Sequence, residues 1–472
     1  MQARFCQTWG VRENAERRGS LDKSRARLDG LRPALGAAFL AAYAWSNLAP
    51  SPLATAIFLA TGIFLYALSV PWASAFHKGL AVVSFVALGA VLATGRLNAG
   101  AFVEGLPDYY GVVAVLLVLS IAGYPIRAAR YEAQIRALVA ALRRRGAGVG
   151  TASGIMGHVL GAVLDVGAFV LIDVILGRAA PGSRVDALTW AGRGFSFAPL
   201  WTNLNVFTAT TIVLTGVSYP SLLAVTLPFA LLGLAATSLF AQREKGETED
   251  LSGPDAPLDR KAAAVVLYPV LLVATVALAN LLFPGLSLTA TIAVTVAVVV
   301  LVISALAAVF LRRISPLRRR AGETRGSLVA SHAEFALFGS AGILVLSLGQ
   351  LGALAPLGHL LSALPPVLVA PALMLTIGLG FVVGIHVIPM VLLINTAFPL
   401  DGGPAPALWA AALLLGAQSA LLLTPFSSAV TMLARLTGLH PLEIGPRRNW
   451  SFGLAVTFAA LLYLGLLTLL LL

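Results

Sequence analysis

The chain has 472 residues, of which 58% are hydrophobic and 11% charged, and its mean hydropathy is +0.90. Soluble domains carry about a quarter charged residues, so this composition excludes a water-soluble fold. The formal net charge of +12 does not indicate a nucleic-acid partner, because the charges lie in loops between apolar runs and no aromatic residues for base stacking are interleaved with them.

The first 33 residues carry charges of both signs and have no apolar core. They predict a cytoplasmic tail, and not a cleaved secretory signal. Cys6 lies in this tail and is the only cysteine, so the chain has no intramolecular disulfide and no cysteine-based metal cage. We therefore expect no metal centre and no cofactor other than Na⁺ as a coupling ion.

Eleven apolar runs follow, most of them long enough to cross a hydrocarbon layer of ~30 Å as a helix. They lie at about 34–48, 52–70, 78–94, 110–126, 150–177, 219–241, 262–283, 287–311, 327–350, 366–396 and 449–472. A basic amphipathic stretch at 126–145 has Ile135, Leu138, Val139 and Leu142 at helical spacing, which predicts a helix on the membrane surface.

Two further segments, 189–217 and 405–440, are interrupted by prolines and polar residues and predict re-entrant or broken helices. The predicted fold is thus an all-α polytopic membrane protein with about eleven transmembrane helices and two such segments. Its parts are the tail 1–33, a first membrane half 34–241, a cytoplasmic linker 242–261 and a second half 262–472.

The arginines orient the chain through the positive-inside rule. The tail, the surface helix, the linker and the basic loop 312–320 are all predicted to be cytoplasmic, which requires segments 189–217 and 405–440 to make no net crossing. The N-terminus is then inside and the C-terminus outside. The richness in Ala, Gly, Leu and Arg is typical of a GC-rich bacterial genome, so the predicted location is a bacterial inner membrane.

A shift of 222 residues aligns the two interrupted segments, with seven identical pairs and one polar pair. Gly194, Ala198, Leu200, Thr202, Asn205, Leu214, Thr215 and Gly216 align with Gly416, Ala420, Leu422, Thr424, Ser427, Leu436, Thr437 and Gly438. With the predicted topology, the two motifs enter the membrane from opposite faces. This pattern predicts two inverted repeats, an arrangement on which many secondary transporters are built.

Both motifs place hydroxyls, amides and a proline in apolar surroundings. A broken helix frees backbone carbonyls for a cation and directs a helix N-terminus at an anion. The predicted substrate- or ion-binding residues are Thr202, Asn203, Asn205, Thr208, Thr210, Thr424, Ser427, Ser428, Thr431 and His386. The alternative for each hydroxyl is that it only bonds helices together.

Ionisable residues within spans are costly and often functional. His158 and Asp165 are seven residues apart in span 150–177, so a continuous helix would place them on one face as a proton relay. The alternative is that Asp165 bonds a neighbouring helix and Asp173 lies at the outer interface. Arg435 marks the cytoplasmic interface or contacts an anionic solute. His386 lies in span 366–396, which is long enough to be broken at Pro389.

Four stretches of the second half resemble the ion-transporter superfamily of permeases. They are Gly384-Ile-His-Val-Ile-Pro389, Leu414-Leu-Gly416, Thr424-Pro-Phe-Ser-Ser428 and Leu436-Thr-Gly438. That superfamily includes divalent-anion/Na⁺ symporters, citrate and arsenite carriers, and the large membrane subunit of TRAP transporters. The chain has Thr202-Asn203 and Ser427-Ser428 where the dicarboxylate symporters have Ser-Asn-Thr, which indicates a divergent branch.

The resemblance implies two inverted repeats, each with a re-entrant hairpin and a broken helix whose polar motifs hold substrate and Na⁺. The predicted function is secondary transport of a small anionic solute, a carboxylate or oxyanion, coupled to Na⁺ or H⁺. Predicted partners are the solute and the lipid bilayer, with a homodimer or a periplasmic binding protein as open options. The alternatives are a membrane-embedded enzyme acting on lipid and a non-transporting membrane subunit.

Overall fold

The computed structural model describes residues 31–122, 132–176, 181–243, 260–283, 285–310, 328, 331–400 and 405–471. Within these ranges the regular structure is helical and no β-strand occurs. The chain is an all-α, multi-pass membrane protein. Most of the predicted tail, the linker between 244 and 259, and the basic loop 312–320 lie outside the described residues, so their predictions stay predictions.

The helices of the first half are α1 (31–48), α2 (Pro52–Ser69), α3 (Ala75–Ala93), α4 (Ala99–Ala122), α5 (Glu132–Arg144), α6 (Val149–Leu164), α7 (Gly167–Leu176), α8 (Pro181–Phe195), α9 (Val206–Thr215) and α10 (Tyr219–Arg243). Those of the second half are α11 (Arg260–Leu282), α12 (Leu288–Phe310), α13 (His332–Leu351), α14 (Ala355–Ser362), α15 (Pro366–Val382), α16 (Val387–Ala397), α17 (Pro406–Ala420), α18 (Ser428–Thr437) and α19 (Arg448–Leu471).

Seven stretches among the described residues are long and apolar enough to cross a membrane. They are Pro52–Trp72, Ala75–Ala93, Ala99–Leu119, Tyr219–Gln242, Leu288–Leu306, His332–Leu351 and Glu443–Leu471. Each coincides with a predicted span, although the fourth predicted span begins at Ala99 and not at 110. Pro107 lies inside this helix.

Helices α2, α3, α4 and α13 pack together into a framework. The Tyr66 hydroxyl lies 3.1 Å from Ser340 Oγ, and Ser84 donates to the carbonyl of Ser340 over 2.9 Å. The ring of Phe39 packs 5.1 Å from that of Phe58. Buried aromatic contacts and short interhelical hydrogen bonds therefore hold this framework together.

The predicted span 150–177 is wrong, because α6 and α7 form a helical hairpin. Helix α6 runs parallel to α8: a Cβ at Gly150 would lie 2.8 Å from the Trp190 ring, and further along Thr202 donates to the Ala162 carbonyl over 3.0 Å. If α7 continued in the direction of α6, its end would lie about 50 Å from the start of α8. Residues 177–180 reach only about 18 Å. Helix α7 must therefore run back.

The predicted span 366–396 is a second hairpin, formed by α15 and α16. Helix α15 runs parallel to α17, because a Cβ at Gly378 would lie 3.2 Å from the Gly416 carbonyl and, further along both segments, one at Gly384 would lie 2.9 Å from the ring of Phe426. The link from α16 to α17 is again too short for α16 to continue outward. The turn lies at 383–386, with φ +97° at Gly384, and not at Pro389 as predicted.

Segments 189–217 and 405–440 are interrupted, as predicted. Helix α8, a break at 196–205 and α9 form broken helix A; α17, a break at 421–427 and α18 form broken helix B. Helix α10 returns beside α6, where Thr151 donates to the Ser238 carbonyl over 3.0 Å. Broken helix A therefore passes from one end of the bundle to the other. The predicted roles of 150–177 and 189–217 are exchanged: the former turns back and the latter crosses.

The two halves have matching local structure at the offset of 222 residues. Helix α9 corresponds residue for residue to α18, Asn205 and Ser427 are their N-caps, and Gly216 and Gly438 end them with φ of +63° and +72°. Hairpin A (α6–α7) and hairpin B (α15–α16) occupy the same place in the order of elements, as do the short helices α5 and α14, although their bounds do not align residue for residue at this offset.

Candidate functional site

The hairpins and broken helices of the two halves pack across each other. Helix α9 packs on α16 and α17, while its counterpart α18 packs on α7 and α8. A Cβ at Gly192, on α8, would lie 3.0 Å from the side chain of Leu433 on α18. The structure thus brings the two interrupted segments together, each against the hairpin of the other half.

In the first break, Thr202 and Thr208 bond the backbone. Thr202 is buried; its hydroxyl donates to the Ala162 carbonyl over 3.0 Å and accepts the N–H of Leu204 over 3.2 Å. Thr208 donates to the Pro199 carbonyl over 2.7 Å. Thr202 thus holds the break against hairpin A, and Thr208 holds α9 to the break, which is the helix-bonding alternative weighed for them.

Asn205 and Ser427 are the N-caps of the helices that follow the breaks. Asn205 Oδ1 accepts from the backbone N–H of Phe207 over 3.0 Å and of Thr208 over 3.4 Å. Ser427 Oγ accepts from the N–H of Val430 over 3.1 Å. Each cap satisfies amide groups that a helix start otherwise leaves free, so these oxygens fix the geometry of the broken helices.

Within the described part of the chain, four polar side chains around the first break are buried without a hydrogen-bond partner. Both amide atoms of Asn203 lack a partner, as do the hydroxyls of Thr210 and Thr211, and all three residues are 1% exposed or less. Gln418 Oε1, on the neighbouring helix α17, also lacks one. An unsatisfied buried polar group costs about 1–3 kcal/mol, so this cluster is unusual unless it serves a ligand.

The second break has the opposite character, because part of it is exposed. Thr424 is fully buried and its hydroxyl accepts the N–H of Phe426 over 3.3 Å. Ser428, Thr431 and Arg435 are exposed and follow one face of α18, which we call the polar face. The other face is buried and apolar: Ala429, Val430, Leu433 and Ala434.

A polar, charged face at this depth in a membrane bundle faces water, because lipid would leave its groups unsatisfied. Asp165 is exposed at the turn of hairpin A, and the arm α7 that follows it packs on α18. The exposed turn of hairpin A is thus joined through α7 to the helix that carries the polar face. The sequence allows Arg435 to mark the cytoplasmic interface or to contact an anionic solute. In the structure it lies on the polar face of α18.

The continuous helical face on which the His158–Asp165 relay was predicted is absent from the structure. Helix α6 ends at Leu164, and Asp165 has φ +50° and ψ −140°, so the two residues do not share a helical face. His158 Nε2 accepts from Trp201 Nε1 over 2.8 Å, and Nδ1 lies 3.2 Å from the Gly194 carbonyl. Both ring nitrogens of a neutral imidazole are thus occupied, and His158 holds the break to hairpin A.

Asp173 lies at the base of hairpin A. Arg184 of α8 donates to its two carboxylate oxygens, from Nε over 2.6 Å and from the terminal nitrogen over 2.8 Å. Because α7 runs back, Asp173 lies near the end of the bundle where α6 begins, and its predicted place at the outer interface is wrong. The bidentate pair fixes hairpin A to broken helix A.

His386 lies at the turn of hairpin B and caps α16. Its Nδ1 accepts the N–H of Ile388 over 3.4 Å. A Cβ at the neighbouring Gly384 would lie 2.9 Å from the ring of Phe426, so this turn touches the second break. His386 therefore lies close to the second break. Its hydrogen bond to Ile388 caps a helix and does not show that it binds a solute.

Arg193 has a role that the sequence does not predict. Its Nε donates to Asn449 Oδ1 over 3.0 Å, a terminal nitrogen donates to the Arg448 carbonyl over 3.0 Å, and its guanidinium lies 4.2 Å from the Trp190 ring centre. It links broken helix A to the start of α19. Gln418 was also missed; a polar residue in an otherwise apolar helix was the available signal.

Within the described ranges, no three His, Cys, Asp or Glu side chains lie close enough together to hold a metal ion. The chemistry available at the breaks is that of neutral hydroxyl and amide groups and helix N-termini, with one cationic side chain, Arg435, on α18. Such groups can bind and release a solute or a hard monovalent cation.

No family model matches the chain, and no curated protein matches it. One similar solved structure is the crystal structure of the YdaH transporter of Alcanivorax borkumensis, described as revealing an unusual topology. It is 19% identical, the alignment covers 78% of this chain and 86% of that one, and the TM-score is 0.47. This similarity assigns neither a family nor a function to the chain.

Proposed function

We propose that the chain is a secondary transporter of a bacterial inner membrane, which moves a small anionic solute coupled to Na⁺ or H⁺. The observation that carries the proposal is the pairing of an exposed polar face on α18 with an enclosed cluster of polar groups, around the first break, that have no partner among the described residues. One offers a solute access from water, and the other offers contacts that the protein itself leaves unused.

We further propose that the two halves are inverted repeats. The surface helix α5 carries Arg136, Arg143 and Arg144, whereas its counterpart α14, at Ala355–Ser362, contains no arginine or lysine. The positive-inside rule puts the first at the cytoplasmic face and the second at the opposite face. With this orientation, the polar face of α18 opens to the cytoplasm, near Arg447 and Arg448.

An anionic solute is favoured by Arg435, which is the charged residue of the polar face. A fixed cation beside a water-filled cleft raises the local concentration of anions. The first break favours a cation, because Asn203, Thr210 and Thr211 offer neutral oxygens of the kind that Na⁺ binds. Binding of both species would let the gradient of one drive the other.

Transport then requires the access of the two breaks to alternate. In the present arrangement the second break is partly open and the first is enclosed, although their local structures match. In the reverse arrangement the first break would be open and the second enclosed, because each half would adopt the packing that the other half has now. We prefer transport to an enzyme that acts on lipid, because the breaks carry no pair of acid and base groups within reach of each other. We prefer it to a non-transporting subunit, because buried polar groups that bind nothing would cost stability.

The proposal is tested by reconstitution in liposomes with an imposed Na⁺ or pH gradient and a panel of citrate, succinate, benzoate and arsenite. We expect gradient-driven uptake of at least one solute. Arg435→Gln should lower it about 10-fold, the effect of losing one charge-assisted contact. Arg96→Gln is the control, because Arg96 is exposed and bonds the distant Leu351 carbonyl. Equal uptake by both variants would remove the polar face from the mechanism.

A further inference from the structure

The surface helix α5 packs its apolar side into the protein. Ile135 is fully buried, and Leu138 and Val139 pack against the same core. The helix contacts α6, α7 and α11. The apolar side of α5 therefore covers the base of hairpin A and leaves the arginine side outward, while the prediction of a helix at the membrane surface stays a prediction.

Arg136 and Arg143 lie on one side of α5. Seven residues separate them, so they are two turns and about 10 Å apart along the helix axis. Arg136 is exposed and Arg143 half-buried, and neither makes a hydrogen bond or ion pair within the described residues. Two outward cations about 10 Å apart can each bind a phosphate group of neighbouring lipids, whereas one small anion could not contact both.

The position of α5 places these arginines at the lipid boundary. Helix α5 packs on α11, and α11 exposes Leu267 and Leu271, each about half exposed, beyond its first turns. Apolar side chains exposed on a membrane helix face acyl chains. The headgroups of those lipids then lie at the start of α11, where the sequence adds Arg260 and Lys261.

We propose that α5 binds anionic phospholipid headgroups through Arg136 and Arg143. Because α5 packs on both arms of hairpin A, the bound lipids fix the base of this hairpin to the inner leaflet. The counterpart α14 packs on α16 and has no cationic side chain except a histidine, so only one hairpin has this attachment. The inference concerns lipid binding and does not depend on transport.

The test is thermal unfolding of the detergent-purified full chain, titrated with phosphatidylglycerol or phosphatidylcholine. Phosphatidylglycerol should stabilise the wild-type chain at lower concentration than phosphatidylcholine. Each arginine near an anionic surface contributes about a factor of five in affinity, so R136Q/R143Q should raise the half-saturating concentration about 25-fold. R136K/R143K should restore most of the affinity, because the charge and not the guanidinium geometry carries the attraction.

Lys78→Gln is the control, since Lys78 is exposed at the start of α3 and its loss removes one positive charge, where R136Q/R143Q removes two. The control should titrate like the wild type. The proposal is overturned if R136Q/R143Q titrates like Lys78→Gln, if the two lipids stabilise equally, or if inorganic phosphate at the same concentration reproduces the effect. Neither arginine has a partner among the described residues, so R136Q/R143Q should unfold at the wild-type temperature when no lipid is added. Recovery of the lipid effect in R136K/R143K would show that substitution at these positions leaves the fold intact.

Discussion

Replacing Gly194 by alanine should destabilise the protein by about 3 kcal/mol or more. A Cβ at this position would overlap the carbonyl oxygen of Gly154, which is backbone of α6 and has no side-chain freedom to move away. Overpacking of this kind forces backbone shifts that cost about 1–3 kcal/mol and at times more. The same substitution at Gly416, the aligned residue, would overlap the carbonyl of Met374 and should have a similar effect.

Gly182→Ala is the control, because Gly182 lies in the same helix and nothing is within 4 Å of its added Cβ. This change should be neutral or stabilising by up to about 1 kcal/mol, since alanine is the better helix former. Thermal unfolding of the purified variants, followed by size-exclusion chromatography, measures both. If Gly194→Ala unfolded at the temperature of Gly182→Ala, α6 and α8 would not be in the backbone contact described.

Removing the hydroxyl of Thr210 should make the protein more stable and a worse transporter. Thr210 is buried and its hydroxyl has no partner, so Thr210→Val keeps the shape and removes a desolvation cost of about 1 kcal/mol or more. If that hydroxyl binds the transported ion or solute, uptake should fall about 10-fold. Asn203→Leu should act in the same direction, because both of its amide atoms lack a partner.

Thr208→Val is the matched control, since it is the same chemical change two residues away. Thr208 donates to the Pro199 carbonyl, so its loss leaves a buried acceptor unpaired and should destabilise by about 1 kcal/mol. Opposite signs for the two valine variants would support an unused binding group at Thr210. Equal destabilisation would mean that the Thr210 hydroxyl makes a hydrogen bond within the protein and is not free to bind a ligand.

The sequence predicts the broken helices well because their signal is chemical. Pro425 removes a backbone donor, Thr424 and Ser427 supply local hydrogen bonds, and the offset of 222 residues identifies the counterpart around Thr202 and Asn205. The structure adds that Asn205 and Ser427 occupy equivalent N-caps, which a motif comparison only suggests.

The resemblance implies a re-entrant hairpin in each half, but the residues do not locate it, because hydropathy reports the length of an apolar run and not its direction. The turn of hairpin A falls at Asp165, a non-glycine residue with positive φ, and no glycine or proline marks it at that position. In hairpin B, Pro389 was expected to break the helix. It lies instead in the first turn of α16, where proline is tolerated because the first N–H groups are free.

The central claim is that the polar face of α18 meets water inside the bundle, and cysteine labelling tests it directly. In a Cys6→Ser background, Thr431→Cys, Val430→Cys and Leu462→Cys are treated in open membranes with a membrane-impermeant thiol reagent. Thr431 is exposed on the polar face, Val430 is buried beside it, and Leu462 is exposed on the apolar α19. We predict rapid labelling of Thr431→Cys alone. Labelling of Thr431→Cys no faster than of Leu462→Cys would mean that α18 faces lipid, and would contradict the account.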